Sequence, residues 1–163
     1  MEKLYFADNL QISYDPETRI MFCKWVGYQP MRVIQYCGAV IIRLLKEKQV
    51  DKILNDNTEV SGPWIETAHW TANEWFPEII QAGLKHFAWV LSSNIFAELS
   101  AIEAMPASNV VVTFYSVFEA QKWLMAQSSE QRGIIFRGVW FILLPLPHLA
   151  ELSISCERLT LIL

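Results

Sequence analysis

One stretch constrains this chain more than any other. From Pro30 to Lys48, Val33, Ile34, Cys37, Val40, Ile41, Leu44 and Leu45 recur at spacings of three and four. That period predicts a long amphipathic helix whose apolar stripe must be covered by a sheet or by other helices. Arg32, Gln35, Arg43 and Lys46 fall on the opposite side. Pro30 suits a first helical turn, and the cations near the C-terminal end complement the helix dipole.

The flanks supply the sheet. Leu4–Ala7 and Leu10–Tyr14 are β-prone pieces divided by Asp8-Asn9, and Arg19–Val26 follows the turn Asp15-Pro16-Glu17-Thr18. Three strands in an antiparallel meander are the economical reading. After the helix come a short strand over Val50–Leu54 and the polar run Asn55–Glu59. Pro63 can open a second helix with Ile65, Ala68, Ala72, Trp75, Phe76, Ile79 and Ile80 as its stripe. Pro77 lacks an N–H, so a kink or restart is expected near Asn73. His86–Leu91 reads as a buried strand, and Asn94 caps a helix bearing Phe96, Leu99, Ile102 and Met105. Val110–Tyr115 is a further strand, and Ser116 with Glu119 forms a capping box before Ala120, Trp123 and Leu124. The order β-β-β-α-β-α-β-α-β-α predicts an α/β fold: one mixed sheet, antiparallel at its start, with helices packed on it. The domain spans residues 1–127. Residues 128–163 form an apolar tail of different character, expected to matter for self-association if for anything.

Composition narrows the function classes. With 13 basic and 17 acidic residues the net charge is −4, and no basic run interleaves with aromatics, so nucleic acid is not an expected partner. Cys23, Cys37 and Cys156 are few and scattered, and His69, His86 and His148 stand apart. No disulfide framework, metal site or other cofactor is expected. The N-terminus carries no signal-like apolar core. The run Ile134–Leu144 is too short to span a bilayer and has too little polar face to lie on one. The cytoplasm is the expected compartment, without a membrane.

Several stretches carry a family likeness: Lys24-Trp25-Val26-Gly27-Tyr28, Ile53-Leu54-Asn55-Asp56-Asn57, Asn73-Glu74-Trp75-Phe76-Pro77, Ala82-Gly83-Leu84-Lys85, and Tyr115-Ser116-Val117-Phe118-Glu119-Ala120 with Trp123-Leu124. In order and spacing these resemble the SpoIIAA-like branch of the bacterial STAS proteins, over roughly residues 3–127. The resemblance implies a non-enzymatic regulatory or protein-interaction module, akin to anti-sigma-factor antagonists and more remotely to a lipid-binding fold. It also implies a phosphorylatable hydroxyl at the segment Asp56–Pro63, where Thr58 and Ser61 are the candidates. The segment offers Asp56-Asn57-Thr58 and Ser61-Gly62 in place of the family's Asp-Ser-Ser/Thr-Gly string, and Glu59 would repel a phosphate at Thr58.

The residues themselves favour binding over catalysis. Glu66 and His69 would share a helical face near Asp56, but no nucleophile is paired with a base. Cys23 and Cys37 read as core thiols. The expected binding surface is Asp56, Asn57, Thr58, Ser61, Trp64 and Trp70. A filled core behind that surface favours a protein partner; a deep apolar cavity between sheet and helices favours a small apolar or lipid-like ligand.

Overall fold

The computed structural model describes residues 1–127, and the readings of the 128–163 tail lie outside them. Six strands, β1 (Glu2–Phe6), β2 (Leu10–Asp15), β3 (Ile20–Tyr28), β4 (Lys52–Ser61), β5 (His86–Val90) and β6 (Val111–Phe114), form one sheet in chain order. The first three pair antiparallel; from β3 onward the pairing is parallel. The expected mixed sheet is therefore present.

Connectivity decides which face each helix covers. Parallel strands laid down one after another, joined by right-handed crossovers, put every connecting helix on the same face. Those connections are α1 (Met31–Lys48), the segment Ile65–Gln81, and α4 (Ile95–Glu103). Only α5 (Val117–Ala126), which follows the last strand, is free to pack on the other face. The two buried clusters reflect this division. Met21, Cys23, Trp25, Ile53, Phe87 and Trp89 alternate toward α1 and its neighbours. Ile20, Leu54, Ala88 and Val90 point the opposite way, onto Ala120 and Leu124 of α5.

Helix α1 forms where its period places it, with Cys37, Val40, Ile41, Leu44 and Leu45 buried and Gln49 closing it in a left-handed conformation (φ 53°). Asn94 caps α4 as expected, accepting from the Phe96 and Ala97 amides, and of the expected capping box the structure makes the half in which Ser116 accepts from the Glu119 amide. Among the described residues no helix is long and apolar enough to cross a membrane.

Two local expectations are corrected. The strand read as Val50–Leu54 runs to Ser61, taking the polar Asn55–Glu59 into the sheet. A bulge makes this workable. Lys24 faces Asp56, but Val26 faces Glu59, so β4 carries one residue more than β3. Asp56 Oδ1 holds the extra residue by accepting from the Thr58 amide (2.9 Å) and hydroxyl (2.7 Å). The bulge changes the alternation. Asn55 and Asn57 face inward, then Val60 rather than Glu59, which instead pairs with Lys24 on the surface.

The second correction concerns Pro63 onward, where a plain helix does not form. A 3-10 turn (Ile65–Thr67) leads into α2 (Ala68–Trp70), a π-helical turn (Thr71–Trp75) and α3 (Phe76–Gln81). The irregularity expected near Asn73 is thus a widened turn, with Pro77 in the first turn of α3. Helix α4 turns its small residues inward. Ala97, Ser100 and Ala101 are buried, whereas Phe96 (59%), Leu99 (53%) and Ile102 (54%) are exposed. Small side chains let α4 approach the 3-10 turn closely enough for Ser100 Oγ to accept from the Trp64 amide at 3.0 Å.

Candidate functional site

A cavity of about 50 Å³ lies between the sheet and the helices of the α1 face. That is several times the space one ordered water needs. The strands contribute Trp25, Asn55, Asn57, Val60, Phe87 and Trp89; α1 contributes Ile34 and Gly38. The remaining wall comes from Gln29, Trp64, Trp70, Thr71 and Trp75. Five indoles in one small space is the dominant chemical fact of this domain.

Each wall has a local cause. β3, β4 and β5 alternate in register, so Trp25, Asn55 and Trp89 project from neighbouring strands onto one face. Gly38 lets the helix side close in. A Cβ there would meet Trp75 Nε1 at 2.8 Å, well inside normal contact. The π-helical turn ends at Trp75 and directs that residue inward. Trp64 and Trp89 stack with ring centroids 6.1 Å apart. Trp75, Phe76, Phe87 and Trp89 contact one another in edge-on and tilted geometries.

The polar groups fall into two sets. One is internally satisfied. Trp25 Nε1 donates to Asn55 Oδ1 (2.8 Å), Asn55 Nδ2 donates to Asn57 Oδ1 (2.9 Å), and the Thr71 hydroxyl donates to the Thr67 carbonyl (2.9 Å). The other is buried and unpartnered: the indole N–H groups of Trp64, Trp75 and Trp89, and Gln29 Oε1. Gln29 spends its amide nitrogen on the Val26 and Gly27 carbonyls, which fixes its orientation. Leaving buried polar atoms unpaired costs roughly 1–3 kcal/mol each. All four belong to residues of the cavity wall, and each of these atoms is closed off from solvent.

The six residues expected to form a binding surface divide between two environments. Asn57 and Trp64 are buried in the cavity wall, and Trp70 is a half-buried part of it. Asp56, Thr58 and Ser61 lie on the outer side of β4, and the first two bond to each other at the bulge. Glu66 and His69 are exposed and line no part of the cavity. Sequence reasoning missed Gln29, Gly38 and Trp89 as site residues. Gly38 carried the one available signal, a glycine inside a strong helical pattern.

Burial raises the Cys23 thiol far above its ordinary range and also raises that of Cys37. Both are buried free thiols, unsuited to nucleophilic chemistry. Among the described residues, no cluster of three or more histidine, cysteine or carboxylate side chains is arranged to hold a metal. No family model, curated protein or solved structure matches the chain.

Proposed function

We propose that this domain is a non-enzymatic binding module whose tryptophan-lined cavity takes a small, largely apolar ligand. The carrying observation is one apolar cavity walled by the indoles of Trp25, Trp64, Trp70, Trp75 and Trp89. Apolar walls with a few polar groups are the ordinary composition of a small-molecule site. Among the described residues the lining contains no carboxylate, imidazole, amine or thiol, and its one hydroxyl, on Thr71, donates to backbone. Such a wall can hold and orient a molecule, and it lacks the groups that move protons or attack carbonyls.

A regulatory role of STAS type fits the same picture if ligand occupancy is what the domain reports. Asn57 and Trp64 of the cavity wall bracket the Thr58–Ser61 stretch in sequence, so occupancy and the outer face of β4 are joined through one strand end. The test is native mass spectrometry of the 163-residue protein purified gently from its own cells, with toluene titration of tryptophan emission alongside. A carried small molecule, or saturable toluene binding, supports the reading. An empty protein whose emission ignores toluene contradicts it.

A further inference from the structure

The lining of the cavity also bears on how a ligand enters, an inference that rests on the binding reading above. Among the described residues that line it, all are buried except Ile34 of α1 and Trp70 at the end of α2, which are half-buried and reach the surface. A ligand that enters without unpacking a buried wall residue passes between these two side chains. We infer that Trp70 is the gate of the cavity, an indole that swings aside to admit a ligand, with Ile34 as the fixed post opposite.

The Trp70 ring is the least tied of the five indoles. Trp25 donates to Asn55, Trp64 and Trp89 stack on each other, and Trp75 meets Phe76 and Phe87 edge-on. Trp70 packs on the core cluster, but its indole has neither a hydrogen bond nor a ring contact among the described residues. Turning it breaks dispersion contacts alone, each of them small. Its backbone is also the least regular part of the wall. Helix α2 is three residues long, with a 3-10 turn before it and the π-helical turn Thr71–Trp75 directly after Trp70. Widened turns of that kind recur at functional sites. Gly38 adds room beneath the ring. A Cβ there would meet Trp70 Cη2 at 3.2 Å, and the glycine leaves that edge clear of α1. Ile34 is the opposite case. It lies within the regular 18-residue α1 and its β-branched side chain is stiff, so it holds its place while the indole moves.

A gate shows itself in rates. Losing a wall contact weakens binding chiefly through faster dissociation, whereas removing a gate also speeds entry. Stopped-flow tryptophan emission of the full-length protein mixed with toluene gives both rate constants. Trp70→Ala is expected to raise the association rate about tenfold, within the one to three decades over which such rates vary in a mutant series. Ile34→Ala widens the same passage from the other helix and should raise it about threefold. Trp89→Phe, deep in the wall, should change dissociation and leave association within about twofold. Circular dichroism confirms the fold of each variant, and Trp70→Leu replaces Trp70→Ala if the latter does not fold.

An association rate unmoved by loss of the Trp70 indole would overturn the gate and leave the binding module standing. So would an equal rise in Trp89→Phe, which would mean that the wall opens as a whole. Failure of the unsubstituted protein to bind toluene would instead overturn the binding reading itself.

Discussion

A methyl group at position 38 would sit 2.8 Å from Trp75 Nε1, 2.9 Å from Trp75 Cδ1 and 3.2 Å from the outer ring of Trp70. In an exposed helix, Gly→Ala is worth about 1 kcal/mol of added stability. Here the methyl would press on two indoles of the cavity wall, and overpacking costs about 1–3 kcal/mol. Gly38→Ala is therefore expected to lower stability by about 1 kcal/mol in denaturant unfolding, against the helix-propensity trend. A stabilised variant would show that the cavity wall yields. Asn55 offers a second test. It accepts from Trp25 Nε1 and donates to Asn57, so Asn55→Ala strands a buried indole N–H. A loss of about 1–3 kcal/mol is expected, and a loss under about 0.5 kcal/mol would mean that water replaces the amide.

At the scale of elements, period and capping were legible and inward direction was less so. Helix α1 follows from its spacing alone because long aliphatic residues occupy one stripe and charges the other. Helix α4 carries large apolar residues at 96, 99 and 102, for which the sequence reading assigned no buried face, and the structure buries the alanines and Ser100. Hydrophobicity ranks burial by transfer energy, whereas this contact is decided by how closely two backbones must approach. The Trp64 amide needs Ser100 Oγ at 3.0 Å, and a bulky residue there would hold the helices apart. Leu99→Ser should accordingly change stability by no more than about 0.5 kcal/mol, while Ala101→Leu should cost about 1–3 kcal/mol. The opposite order in thermal unfolding would reverse the assignment of faces. β4 taught a related lesson. Asn55–Glu59 looks like a loop by composition, yet a bulge and two inward asparagines with partners allow it to be strand.

For the whole molecule, the chain order of strands and helices was enough to give one mixed sheet, and crossover handedness then assigns the helices to faces. The cavity was not legible, because it depends on which of several tryptophans share a face after the bulge shifts the alternation of β4. The sparser α5 face yields a pH prediction. His86 packs edge-on against Trp123 of α5 (5.9 Å between centroids), and burial lowers its imidazole below the ordinary value. The unfolded chain, titrating near pH 6.5, then takes up a proton that the folded chain resists. Stability should fall as the pH drops below about 6.5 and level off once the folded imidazole is also protonated. His86→Gln should flatten that part of the profile in urea midpoints measured across the range; an unchanged slope would assign it to other groups.

The most direct test of a ligand cavity follows the indole protons themselves. In a ¹⁵N-correlated spectrum of the full chain, with peaks assigned by single Trp→Phe variants, toluene should move the Trp64, Trp75 and Trp89 indole signals. They should move together, along one saturation curve. The Trp123 signal, on the opposite face of the sheet, should stay in place. Static Trp64, Trp75 and Trp89 signals with toluene, or a response confined to Trp123, would contradict the assignment of this cavity as the binding site.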